Sequence, residues 1–272
     1  MNVLEAIMLG IVQGLTEFLP VSSSGHLVLL QRIFNVKEPS LFYDTMLHLG
    51  TLTAVFAVLW KDIWEILKKP FQKLTLFLII ATIPAVIAAL TFGDFIEDIF
   101  ISAKFLGWCF LITTVLLVTA EILSRRAVNN SNLRKADQMN WLDALFIGLM
   151  QAIAIPPGIS RSGATISGAL FRGLDRDFAA RFSFLMSIPA ILGALVFQTK
   201  DLLTENESLG EQITINPIAV IAGTITAAIV GFFAVKFMLK IIREKSLFGF
   251  AIYTGVLGAL VLIDQYITKF VF

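Results

Sequence analysis

Gln13 and Glu17 stand one helical turn apart in an otherwise apolar stretch, so their side chains share a helix face. A carboxylate there is costly unless it is paired or holds a metal ion. As a ligand, Glu17 with the amide oxygen of Gln13 suits a hard divalent cation, Mg2+ or Ca2+, with phosphate oxygens completing the shell. Zinc is not expected, because no cluster of histidines and cysteines exists. Ser22, Ser23, Ser24, Gly25 and His26 follow Pro20. One serine is enough to cap a helix start. Three serines and a glycine set out successive N–H groups that can seat an anion. His26 beside them is a candidate acid, base or nucleophile. A second cluster runs from Pro157 to Thr165. In it Arg161 offers bidentate contacts to a phosphate. Ser160, Ser162 and Thr165 add hydroxyls, and Gly163 lets the backbone approach a ligand. Other polar residues read as plain structure. His48 lies in an apolar helix, Asp44 and Asp264 sit at helix ends, and Arg172, Arg176 and Arg181 with Asp175 and Asp177 read as a solvated turn.

The two clusters belong to a duplicated string. Leu4 to His26 aligns without a gap on Leu142 to Ala164, at a constant offset of 138. Leu4/Leu142, Ala6/Ala144, Gly10/Gly148, Gln13/Gln151, Ser22/Ser160, Ser24/Ser162 and Gly25/Gly163 are identities. Each copy starts as an apolar helix, breaks at proline and opens into a Ser/Gly-rich turn. One copy carries Glu17 and His26, the other Arg161. Each lacks part of a site, which predicts one site built between them.

The elements that position it are membrane elements. Of 272 residues 57% are hydrophobic and only 15% charged, against about 25% charged in a soluble domain. Apolar runs at 44–60, 74–92, 105–123, 179–198, 215–236 and 248–268 are each near the roughly 20 residues that cross a bilayer. The expected fold is an all-α polytopic membrane protein with six full transmembrane helices. The N-terminus carries Glu5 and no basic region, unlike a cleaved signal peptide. Cys109 is alone, so no disulfide forms within the chain. A net charge of +1 says nothing about partners, and no nucleic-acid partner is expected.

Loop charges alternate. Lys61, Lys68, Lys69 and Lys73, then Arg125, Arg126, Arg134 and Lys135, then Lys236, Lys240, Arg243 and Lys245 mark cytoplasmic loops. Asp94, Glu97 and Asp98, then Asp201, Glu205, Glu207 and Glu211 mark outer ones. With 105–123 ending inside and 179–198 starting inside, 141–177 must dip into the bilayer and return, broken at Pro156-Pro157-Gly158. By the repeat, 1–36 is a second re-entrant helix–loop–helix, entering from outside and broken at Pro20. The chain then reads as one membrane domain, 1–272, an inverted-topology repeat of 1–123 and 141–268. Irregular backbone at membrane depth survives only where protein or water satisfies it, so the two turns are expected to meet. Ala6, Gly10 and Gly14, and Ala144, Gly148 and Ala152, let helix backbones touch, and such faces permit a homodimer.

At its two polar motifs the chain resembles the undecaprenyl-diphosphate phosphatase family, known for bacitracin resistance. Gln13 to Glu17 and Ser22 to His26 match that family's Glu/Gln-x-x-x-Glu motif and its serine-rich Gly-His segment. Pro157 to Thr165 meets Pro-Gly-x-Ser-Arg-Ser-x-x-Thr in full. The resemblance spans essentially the whole chain. It implies removal of the terminal phosphate of undecaprenyl diphosphate, a substrate held in the bilayer, at the outer face of the bacterial inner membrane. It implies carrier-lipid recycling for peptidoglycan synthesis, bacitracin resistance and dependence on a divalent cation. It also implies Glu17, Ser23, His26 and Arg161 as the catalytic set. Gln13, where the motif also allows Glu, leaves a single carboxylate for the metal.

The residues leave the attacking group open: Ser23, His26, or a water activated by His26. Lipid phosphatases of the acid-phosphatase type are disfavoured, since Ser167 stands where they need a second histidine. A rhomboid-like protease would leave Arg161 without a task. The non-enzymatic alternative is a lipid flippase or transporter, which shares the inverted-repeat architecture.

Overall fold

The structure, a computed structural model, describes residues 2–34, 41–129, 133–205 and 216–272. Glu207 and Glu211 of the expected acidic loop lie outside the described residues. The described residues form helices and short connections. In order these are α1 (Val3–Thr16), α2 (Ser23–Ile33), α3 (Leu41–Val58), α4 (Trp60–Lys68), α5 (Lys73–Ser102) and α6 (Leu106–Asn129). Then come α7 (Trp141–Ile153), α8 (Arg161–Phe171), α9 (Arg176–Glu205), α10 (Pro217–Glu244) and α11 (Phe248–Ile263).

Among the described residues, five helices are long and apolar enough to cross a membrane: Lys73–Gly93, Leu106–Asn129, Arg176–Val196, Pro217–Glu244 and Phe248–Thr268. Their outward faces carry large apolar side chains such as Ile79, Ile83, Val115, Ile225 and Ile252, as lipid contact requires. The sixth expected span, 44–60, falls on α3, and the chain bends at its end. The run 44–60 breaks at Leu59, and α4 leaves α3 at 80°. The reason is composition: Lys61, Asp62, Glu65 and Lys68 interrupt α4, which presents Trp60 and Trp64 as a stacked pair. At 18 residues α3 alone is about 27 Å long, near the thickness of a hydrocarbon core. A second difference is in α5, which continues to Ser102 through non-helical dihedrals at Phe92 rather than ending near residue 92.

The duplicated string forms two short helical hairpins, α1–α2 and α7–α8. Their helices have 14, 11, 13 and 11 residues, roughly 16–21 Å each, too short to span a bilayer. Each begins with a capping box at equivalent positions, Asn2 with Glu5 and Asn140 with Asp143. The second hairpin enters and leaves at one place. Arg134 accepts from the Asp175 N–H at 2.9 Å and donates its own N–H to the Gly173 carbonyl at 2.8 Å. Its guanidinium binds Asp143 at the start of α7 and the Arg172 carbonyl at the end of α8.

The arginines read above as a solvated turn are part of this fastening. Arg172 pairs with buried Asp143 at 2.7 Å, and Arg176 with buried Glu121 at 2.9 Å. Buried carboxylates need such partners, and their partners come from other helices.

Packing crosses between the halves. Helix α1 lies on α10, and α7 lies on α5. The small residues make this possible. A Cβ on Gly10 would stand 2.5 Å from the Gly223 carbonyl, and one on Gly148 2.5 Å from that of Ala81. The faces that could have served a dimer are therefore used inside the chain. Helices α3 and α9, and α6 and α11, pack as pairs between the halves. Phe18, fully buried, meets Phe184 edge-on at 5.4 Å and anchors the turn after α1.

Candidate active site

The hairpin turns interlock. The Oγ of Ser22, from the first, accepts the Gly158 N–H of the second at 3.1 Å. In return Ser162 Oγ donates to the Leu19 carbonyl at 2.9 Å. Close approach demands the glycines: a Cβ on Gly25 would stand 2.8 Å from Gly158 Cα and 2.7 Å from Phe110 Cζ. Gly158 itself holds φ +97°, which suits glycine. Ser22 holds φ 71°, a strained value for a serine, directly before Ser23.

Ser22 and Ser160 are the N-caps of α2 and α8, accepting the N–H groups of Gly25 and Gly163. The next residues, Ser23 and Arg161, are therefore equivalent first residues of two helices. The side chains of these two residues converge on one carboxylate.

That carboxylate is Glu17. Arg161 Nη2 binds its Oε1. Its Oε2 accepts from Ser23 Oγ at 2.6 Å and from Gln13 Nε2 at 2.9 Å. Glu17 is 6% exposed and Gln13 fully buried. The expected face-sharing of Gln13 and Glu17 is present, as is the meeting of acid and guanidinium.

His26 also lies at this turn, but it does not touch Glu17. Its Nδ1 is 2.7 Å from the Ser22 carbonyl and its Nε2 2.7 Å from the Tyr253 hydroxyl. The ring stacks on Tyr253 and meets Phe110 edge-on. A carbonyl can only accept, so the proton sits on Nδ1 and Nε2 faces Tyr253 as the acceptor.

Other expected phosphate-binding hydroxyls are engaged with protein. Thr165 Oγ1 donates to the Arg161 carbonyl at 2.8 Å and lies 2.6 Å from Ser183 Oγ. Ser160 Oγ lies 3.2 Å from Ser162 Oγ. Ser24 is only half-buried, 3.4 Å from Ser22 Oγ. These groups shape the turn, while Ser23, Arg161 and Glu17 face one another.

Two residues escape sequence reasoning. His48, on α3, brings Nε2 to 3.7 Å from Glu17 Oε2, while its Nδ1 is 2.7 Å from the Asp44 carbonyl. Tyr253, on α11, holds His26. Both reach the site through tertiary packing, and neither stands in a motif. The one available signal was that His48 is one of only two histidines.

Among the described residues, no three His, Cys, Asp or Glu side chains cluster as a metal site. The donor set suits a cation differently. Among the described residues Gln13 Oε1 is buried without a hydrogen-bond partner, on the amide whose Nε2 donates to Glu17. An orphaned amide oxygen and one carboxylate are hard ligands, and substrate oxygens would have to supply the rest.

Comparison with known proteins completes the description. The model of the family described as bacitracin resistance protein BacA matches residues 6–260. An undecaprenyl-diphosphatase of Carboxydothermus hydrogenoformans is 48% identical over 270 residues, covering 99% of this chain and all of the relative. Undecaprenyl-diphosphatase 3 of Bacillus cereus is 46% identical over the same coverage. An undecaprenyl-diphosphatase of Alkaliphilus metalliredigens is 43% identical, covering 97% of this chain and 98% of its own.

Proposed function

The chain belongs to the bacitracin resistance protein BacA family, and on that premise we propose that it hydrolyses undecaprenyl diphosphate to undecaprenyl phosphate and inorganic phosphate. This recycles the carrier lipid for cell-wall synthesis and confers resistance to bacitracin. The carrying observation is that Ser23 and Arg161 hold the two oxygens of one buried carboxylate.

The chemistry follows from those contacts. Glu17 is placed to take the Ser23 proton at 2.6 Å, which makes Ser23 the attacking group. His26 is a poorer nucleophile, since both its nitrogens are engaged. Ser23 Oγ attacks the terminal phosphorus, the bridging P–O bond breaks, and undecaprenyl phosphate leaves. Arg161, freed toward the phosphoryl oxygens, and the two helix N-termini stabilise charge there. Water then cleaves the phosphoserine. With Nδ1–H fixed on the Ser22 carbonyl, His26 Nε2 is the base for that water once Tyr253 yields it. Glu17 and Gln13 would hold a divalent cation, Mg2+ or Ca2+, which when bound adds positive charge against the diphosphate.

A lipid can slide its head group in sideways, so an opening between the hairpins suffices. We place the protein in the bacterial inner membrane with the basic loops inside and the site toward the outer face, the two halves being inverted repeats.

The test is to trap the intermediate. Purified protein quenched in acid during turnover of terminally labelled undecaprenyl diphosphate is expected to carry phosphate on Ser23. Ser23→Ala should carry none and release none. A Ser23→Ala protein with wild-type turnover would remove the scheme.

A further inference from the structure

We infer that His48 is a third protein ligand of the divalent cation, beside Glu17 and Gln13, and that its nitrogen shifts the site's preference from Ca2+ toward Mn2+. This rests on the metal reading given above and goes beyond it in naming the ligand and the selectivity.

The imidazole is already arranged for coordination. Its Nδ1 stands 2.7 Å from the Asp44 carbonyl, an acceptor only, so Nδ1 carries the proton. In the neutral ring the lone pair is then on Nε2. Metal-binding histidines share this arrangement, one ring N–H tied to a carbonyl and the other nitrogen bare.

The bare nitrogen points at the right place. Nε2 is 3.7 Å from Glu17 Oε2. Two atoms each about 2.1 Å from one ion stand roughly 3 to 4 Å apart. A neutral imidazole lone pair opposite a carboxylate oxygen is unfavourable by itself, and a cation between them makes both contacts favourable. The third donor, Gln13 Oε1, is buried and has no hydrogen-bond partner among the described residues. His26 offers no competing nitrogen, since Ser22 and Tyr253 take both. The His48 side chain is 31% exposed, against 4% for Glu17.

The nitrogen has a consequence for selectivity. Ca2+ takes oxygen ligands, whereas Mn2+ keeps the oxygen preference of Mg2+ and Ca2+ but, as a first-row transition ion, gains more than Ca2+ does from an added imidazole.

The experiment uses full-length protein in detergent, stripped with chelator and titrated with Mn2+. Loss of the free-ion paramagnetic resonance signal gives affinity, and electron spin echo modulation reports directly bound nitrogen. Wild type is expected to bind Mn2+ with one imidazole nitrogen coupled, and more tightly than it binds competing Ca2+. His48→Gln, which keeps volume and polarity, is expected to lose the nitrogen coupling and at least about tenfold in Mn2+ affinity, with a smaller loss for Ca2+. His48→Ala, checked for wild-type melting, should behave likewise. Wild type binding Mn2+ without nitrogen coupling, or His48→Gln retaining that coupling, would overturn the assignment of His48 alone. Wild type binding no Mn2+, Mg2+ or Ca2+ would overturn the metal reading beneath it, as would undiminished binding in Glu17→Gln.

Discussion

Replacing Arg161 by Gln should separate the structural from the chemical role of the Glu17 pair. The two side chains are 4% and 21% exposed, so the pair is largely out of solvent. Breaking a buried pair by removing one partner costs about 3–5 kcal/mol, because the remaining charge is left uncompensated. Glu17 keeps its hydrogen bonds from Ser23 and Gln13, which puts the expected loss near the lower end, about 3 kcal/mol. Removing both charges in Glu17→Gln/Arg161→Gln leaves two amides able to bond each other. That double variant should recover roughly 2 kcal/mol of the loss, a coupling typical of contacting residues. Activity should not recover. Losing one donor to a developing oxyanion costs about 100- to 1000-fold, and the double variant also lacks the base. The assay is unfolding in mixed micelles by increasing SDS, followed by circular dichroism, beside phosphate release. Wild-type stability in Arg161→Gln, or a double variant less stable than Arg161→Gln, would refute the reasoning.

Other outcomes follow from the packing. Gly148→Ala puts a Cβ 2.5 Å from the Ala81 carbonyl, so α7 must shift on α5, at a cost of about 1–3 kcal/mol in the same unfolding assay. Asp143 lies at the end of the second hairpin, outside the spanning helices. Burial pushes its carboxyl up, but hydrogen bonds from Arg134, the Asn140 N–H and Arg172 outweigh this and hold it below the ordinary range. Its stabilisation is therefore present above the unfolded carboxyl's titration and is lost as pH falls below about 4. Acid melting of Asp143→Asn should lack that component. In a Cys109→Ser background, single cysteines at Asp137 and Asp175 should react with an impermeant thiol reagent from the same side of sealed vesicles; opposite sides would make α7–α8 a spanning pair.

Much of the site was legible because it is local. The offset of 138 located both turns, and Glu17 and Arg161 announced themselves as charges in apolar strings. The same offset also relates Asn2 to Asn140 and Glu5 to Asp143, caps that a motif search for chemistry passes over. His48 and Tyr253 were not legible. Each sits in an ordinary apolar helix and gains meaning only from what packs opposite. Likewise Arg172 and Arg176 look solvated until Asp143 and Glu121, on other helices, are placed beneath them. The α3–α4 bend was hidden because no proline or glycine marks it between Ala57 and Asp62.

The seating of α1 on α10 has a consequence for biosynthesis. The ribosome finishes the first hairpin at Ile33, but its berth begins at Pro217, more than 180 residues later. At about 5–20 residues per second the nascent segment waits roughly 10–40 s without its final neighbour. For roughly the first two thirds of that delay Arg161 has not been made and Glu17 stands without it, so the half-polar hairpin needs shelter from the translocon or a membrane chaperone.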